Sequence, residues 1–226
     1  MKPLVVEIPW LNGERAEYVL YLSQNSKRGI QLGEIVVENR LSAELEDEHV
    51  VLTTRTKLYN PDYVEEVTVF CNKRNYRPLF THAILHTPGG ETIKVKGEYK
   101  RKRVEIFIDT ANGMDKTKMN VPLDVFDNYQ AHFLMRALIG KDEGYSTSIS
   151  AVHILKRHLV HPWLKVEGKD IVEVPAGTFA CWRISSAKKL GSEVQQNVLF
   201  SEQEPYPMIK NIRGPQIIEL TKYVRP

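Results

Sequence analysis

Residues 80–108 constrain the fold more than any other part of the chain. They form three consecutive runs in which apolar side chains recur at the period of two that marks strands buried on one side. A two-residue turn at Gly89-Gly90, where both glycines tolerate positive φ, sets His86 opposite Ile93, Ile84 opposite Val95, His82 opposite Gly97 and Phe80 opposite Tyr99. A second turn at Arg101-Lys102 sets Tyr99 opposite Val104, Gly97 opposite Ile106 and Val95 opposite Ile108. Both hairpins then agree on one apolar face, carrying Phe80, Ile84, Ile93, Val95, Tyr99, Val104, Ile106 and Ile108. Thr81, Thr87, Thr92, Lys94, Lys96, Glu98 and Glu105 fall on the other. A slip of one residue would invert every side chain, so a buried face specifies its register strongly.

The same period continues on both sides. Arg15–Leu22, Ile30–Glu38, Val50–Leu58 and Val64–Cys71 read as strands, with turns at Gln24–Gly29 and Tyr59–Asp62 and an acidic approach from Leu45 to Val50. Gly33 inside the second run predicts a bulge or bend. Asp109–Lys118 reads as a loop. Asp124–Ile139 then changes period: Phe126, Tyr129, Phe133, Leu134, Ala137 and Leu138 recur at helical spacing, with Asp124 as N-cap and Gly140 as stop. A helix of that length would run about 24 Å. Strands resume over Ser146–Leu155, Leu159–Val166, Asp170–Val174, Thr178–Ser185, Glu193–Phe200 and Gln216–Tyr223, with a three-residue hairpin loop at Pro175-Ala176-Gly177. The expected fold is mainly β: one domain over residues 1–226, a large curved antiparallel sheet forming a half-barrel, with one long amphipathic helix on its concave face.

Composition excludes several classes of function. A net charge of +3 on 226 residues is too small for an electrostatic nucleic-acid binder. Glu7 interrupts the apolar lead after Leu4-Val5-Val6, before it reaches the stretch of about 7–15 residues that a signal peptide needs. The expectation is a cytoplasmic protein with no integral membrane segment, or a periplasmic or cell-surface one if a leader has been removed. Cys71 and Cys181 are far apart and suit two buried reduced thiols, not a disulfide framework or a metal site.

The last third carries a distinctive phrase. Val166-Glu167-Gly168-Lys169-Asp170-Ile171-Val172-Glu173-Val174-Pro175-Ala176-Gly177-Thr178-Phe179 runs into Cys181-Trp182-Arg183-Ile184. Val198-Leu199-Phe200-Ser201, Pro207-Met208-Ile209-Lys210 and Ile218-Glu219-Leu220-Thr221 follow. It resembles an uncharacterised group of bacterial β-proteins that share the half-barrel of the lipoprotein carriers LolA and LolB. The resemblance covers residues 160–224 in sequence and the earlier meander in pattern. It implies a LolA-like half-barrel and says little about chemistry.

No phosphate loop, nucleophile elbow or zinc-protease helix motif occurs, so the expectation is a protein without catalysis or cofactor. His82 and His86 would span about 13 Å of strand, too far to share one zinc ion. His153 and His161 could face each other across a turn at Lys156-Arg157, and Lys100–Arg103 reads as a solvated hairpin tip. A concave apolar face closed by a helix suits a hydrophobic small molecule or acyl chain. Its expected lining is His82, Ile84, His86, Ile93, Val95, Val104, Ile106, Ile108, Tyr129, Phe133 and Trp182. The alternative is a structural or interaction protein whose barrel is filled by its own side chains.

Overall fold

The computed structural model describes residues 8–24, 27–42 and 49–226. The apolar lead at Leu4–Val6, the tip of the Gln24–Gly29 turn and most of the acidic approach from Leu45 lie outside the described residues. A first meander comprises β1 (Glu14–Gln24), β2 (Lys27–Ser42), β3 (His49–Tyr59), β4 (Asp62–Asn72), β5 (Pro78–His86), β6 (Thr92–Lys100), β7 (Arg103–Thr110) and β8 (Gly113–Asn120). A crossing segment follows, with β9 (Val125–Asp127), α1 (Ala131–Met135), β10 (Ser146–Ser148), β11 (Ser150–His153) and β12 (His158–Val160). A second meander holds β13 (Trp163–Val174), β14 (Gly177–Ala187), β15 (Val194–Ser201), β16 (Met208–Arg213) and β17 (Gln216–Val224).

The two meanders are one sheet because β17 pairs antiparallel with β1. Its order is β10-β13-β14-β15-β16-β17-β1-β2-β3-β4-β5-β6-β7-β8, with β8 and β10 at its edges among the described residues. The crossing segment hydrogen-bonds to β4 through Gln130 and to β16 through His132. A flat sheet could not reach one segment from two such distant strands, so it wraps around it. Phe126, Leu134, Leu138, Val152 and Ile154 of the segment are buried against Val67, Val69, Val104, Ile106, Leu164 and Ile184 of the wall.

Several expectations hold. The turns at Asn60-Pro61 and Arg101-Lys102 and the β6–β7 pairing are as read from sequence. The irregularity in β2 falls beside Gly33, where Leu20 pairs with Gly33 and Tyr21 with Gln31, leaving Leu32 extra. A Cβ on Gly33 would stand 2.0 Å from the Lys57 carbonyl oxygen, so only glycine fits there. Cys71 and Cys181 are buried free thiols.

The register of β5 is a correction. Phe80 pairs with Glu98, His82 with Lys96, Ile84 with Lys94 and His86 with Thr92. His82, Ile84 and His86 therefore face outward, and Thr81, Ala83 and Leu85 face the core. The loop is one residue longer than expected: Thr87 N–H donates to the Glu91 carbonyl at 2.9 Å, and Gly90 has φ +79°. Proline early and a left-handed glycine at the end suit a three-residue loop. The outward face compensates, since Phe80 stacks on Phe70 with centroids 4.2 Å apart. The other hairpin errs the opposite way: Val174 pairs with Gly177, so its loop is only Pro175-Ala176.

The long helix is also corrected. Val125–Asp127 is a strand paired in parallel with β11, and α1 has only five residues between 3-10 turns at Asn128–Gln130 and Arg136–Leu138. The cap is Asp127, not Asp124. Its carboxylate accepts from Tyr129 N–H at 2.9 Å while the Gln130 side chain accepts from Asp127 N–H at 2.9 Å, a reciprocal capping box. Residues 109–118, read as a loop, form the β7–β8 hairpin with Thr110 opposite Gly113. His153 faces His158 rather than His161.

Candidate functional site

The crossing segment is tied tightly to one side of the sheet. Asp127, fully buried, accepts from Thr81 Oγ1 at 2.7 Å and from the Tyr99 hydroxyl at 2.5 Å. Gln130 Nε2 donates to the Tyr76 carbonyl and to Cys71 Sγ, both at 2.9 Å. Burial pushes the Asp127 carboxyl above its ordinary range despite these donors, and pushes the Tyr99 hydroxyl and Cys71 thiol up as well. Every bond here joins the segment to β4, β5 or β6 or to the β4–β5 loop, and the apolar side chains Val67, Val69, Val95 and Val104 of these strands and β7 are buried.

The opposite side is hollow. Between the segment and β1, β2, β3, β15, β16 and β17 lies a cavity of about 220 Å³. Ile35, Val37, Leu52, Phe133, Phe200 and Ile218 supply its apolar wall. Tyr18, Asn39, Asn128, Tyr129, His132 and Arg136 supply its polar groups. At its floor the buried Arg136 Nη1 donates to Glu14 Oε1 at 2.6 Å, and the Tyr223 hydroxyl donates to Glu14 Oε2 at 2.8 Å. The Asn39 amide donates to the same carboxylate. Arg136 Nε is buried without a partner. Burial raises the Tyr18 hydroxyl well above its ordinary value, so it enters the cavity as a neutral group.

Asn128 and His132 also line a second space, an open cleft of about 360 Å³ between the segment, β14, β15 and the end of β16. His132 thus stands between the two. Its Nε2 faces the Asn211 amide nitrogen at 3.0 Å and the Gln196 amide nitrogen at 3.3 Å. Gln196 Nε2 also donates to Asn211 Oδ1 at 2.9 Å. With amide nitrogens on both approaches, Nε2 is the acceptor and the ring is neutral. Burial first, then the nearby Arg213 and Arg136, depress its pKa to about 4.

The residues expected from sequence are divided by this geometry. Tyr129 and Phe133 line the inner cavity. Tyr129 is hydrogen-bonded to Glu65, which also accepts from the Tyr63 hydroxyl at 2.6 Å. Val95, Val104 and Ile106 are buried in the core, with Ile93 and Ile108 packed at its margin. His82 and Ile84 line a shallow depression of about 460 Å³ on the outer face beside Phe107 and Met114, and His86 is exposed there too. Trp182 is half-buried, with Lys169 Nζ 4.6 Å from its ring centroid. Sequence reasoning missed Tyr18, Asn39, Arg136 and Met208 as cavity residues. The shared face of Val50, Leu52, Thr54 and Thr56 was the available signal, since Leu52, Thr54 and Thr56 all line the cavity. Among the described residues no group of three or more His, Cys, Asp or Glu side chains is placed to hold a metal ion. None of their helices is long and apolar enough to cross a membrane.

In comparisons with known proteins, no curated protein matches the chain in sequence. Among solved structures it is similar to the crystal structure of a β-barrel-like protein of domain of unknown function DUF1849 from Brucella abortus. The TM-score is 0.60 at 15% identity, over 96% of this chain and 98% of that one. The likeness is one of fold: a β-barrel-like sheet. Residues 17–210 match the model of the protein family of unknown function DUF3108. That match spans most of both meanders and the whole crossing segment, and the chain therefore belongs to the DUF3108 family.

Proposed function

We propose that this protein is a non-enzymatic binding protein that holds an apolar or lipid-like ligand between the crossing segment and the β17–β1–β2–β3 wall. The observation that carries the reading is the cavity beside Phe133. Packed protein cores leave few voids larger than a water molecule, yet here a cavity of about 220 Å³ has Phe133 and Val37 in its wall. An engineered apolar cavity of about 150 Å³ already admits benzene. The LolA-like reading of the half-barrel agrees with such a role. The alternative, a barrel plugged by its own side chains, is favoured by Leu134 and Leu138 of the segment, which are fully buried.

Titration with the neutral apolar fluorophore N-phenyl-1-naphthylamine tests the reading. Saturable binding is expected, with a melting temperature that rises with probe concentration, because a ligand that binds only the folded state stabilises it by mass action. Val37→Phe, which fills the cavity, is expected to weaken binding at least tenfold while the circular-dichroism spectrum is unchanged. An unmoved melting temperature and no saturation would leave the plugged barrel as the better account.

A further inference from the structure

The cleft on the far side of His132 differs in charge from the cavity. Lys188 and Arg213 lie in its wall, together with His161 and Gln195. No carboxylate among the described residues lines it. Neither Lys188 nor Arg213 makes an ion pair with a described acidic residue, whereas Arg136 in the inner cavity is neutralised by Glu14. The segment and β12 bring Ala131, Met135, Ile149 and Val160 to the cleft beside Asn128 and His132. Two cations thus stand beside an apolar surface in a cleft whose wall shares Asn128 and His132 with the inner cavity.

We propose that the ligand is a single-chain anionic amphiphile whose tail lies in the inner cavity and whose carboxylate or phosphate monoester head meets Arg213 and Lys188 in the cleft. This rests on the binding reading given above and adds the chemical class. An anion answers two features of the cleft. It supplies the charge that Arg213 and Lys188 lack. It can take charge-assisted hydrogen bonds from Arg213 and from the Gln195 amide, which are stronger than neutral ones. The tail then passes the His132 ring, which lines both the cleft and the cavity. A cationic head would instead meet two like charges at the entrance.

The experiment compares octanoate, octyl phosphate and octanol by calorimetry on the wild-type protein, Arg213→Gln and Lys188→Gln. Both side chains are exposed, so these variants keep the fold. Octanol reports the cavity alone. The anions are expected to bind wild type at least tenfold more tightly than octanol, the lower end of what a hydrogen bond to a charged group contributes. The double variant Lys188→Gln/Arg213→Gln is expected to erase that preference without changing octanol affinity, and raised salt is expected to reduce it. A preference for octanoate over octyl phosphate, or the reverse, identifies the head. Equal affinity of octanol and both anions for wild type would overturn this inference and leave the binding reading standing. Failure of all three to bind would overturn both.

Discussion

Gly97 lies directly beneath Ile154. A Cβ built on Gly97 would stand 3.0 Å from Ile154 Cγ2, closer than side-chain carbons ordinarily approach. Gly97 is on the inner face of β6, and Ile154 is fully buried in the turn that follows β11. The missing side chain of the sheet is thus the space that the crossing segment occupies.

Gly97→Val is therefore expected to destabilise the fold by about 1–3 kcal/mol, the usual cost of overpacking a filled core. Urea denaturation gives the value. Ile154→Ala in the same chain should recover part of the loss, because the clash is with one side chain. Additive effects of the two substitutions would show that the contact is not the cause.

Removing Arg136 alone is expected to be costly. Arg136→Leu strands the Glu14 carboxylate, which is 2% exposed, and such a broken buried pair costs about 3–5 kcal/mol. Glu14→Gln/Arg136→Leu should be the milder variant, since Gln keeps hydrogen bonds to Asn39 and Tyr223 without a buried charge. A double variant less stable than Arg136→Leu would contradict this account.

Acidification should weaken the protein through His132 and His153, both depressed to about 4, chiefly by burial. The unfolded imidazole titrates near 6.5. The stabilisation is complete above that value and is lost as pH falls from about 6.5 toward 4, because the unfolded chain takes up the proton first. His132→Gln keeps a hydrogen-bonding partner for Asn211 and removes the titration. The stability gap between wild type and this variant should narrow over that window, and curves that stay parallel would exclude His132 as a contributor.

Asp127 should act in the opposite direction. Its folded pKa is raised, mainly by burial, so its contribution is present at low pH and declines as pH rises from the ordinary carboxylate range through the folded value. The advantage of wild type over Asp127→Asn should shrink as the solution is made less acidic. Asp127→Ala should be worse at every pH, since it leaves the Thr81 and Tyr99 hydroxyls without their acceptor, at about 1–3 kcal/mol for each.

The alternating runs of the sequence located most strands and the β6–β7 register, because alternation reports burial on one face. The β5 register was not legible in the same way. Phe80 and Ile84 look more like core residues than Thr81 and Ala83, and only the folded chain shows that Thr81 is needed by Asp127 and that Phe80 has Phe70 on the outer surface. The helix was over-read for a related reason. Helical spacing of apolar residues also arises when a short helix, two 3-10 turns and a strand follow one another across a concave wall, and the Asp127–Gln130 cap was masked by an equally good candidate at Asp124. Tyr129 and Phe133 are legible as cavity residues from the apolar face of the expected helix, and both line the cavity. Arg136 and Glu14 were not, since their pairing spans 122 residues and no local pattern records it.

The pairing of β17 with β1 also has a consequence for biogenesis. The Tyr223 hydroxyl meets Glu14 across 209 residues of chain, so β1 is completed only by a strand made that much later. At about 5–20 residues per second of synthesis, one edge of β1 stays unpaired for about 10–40 s. Open strand edges invite pairing with other chains. During translation that edge, rather than any edge of the finished molecule, is where a chaperone would be most needed.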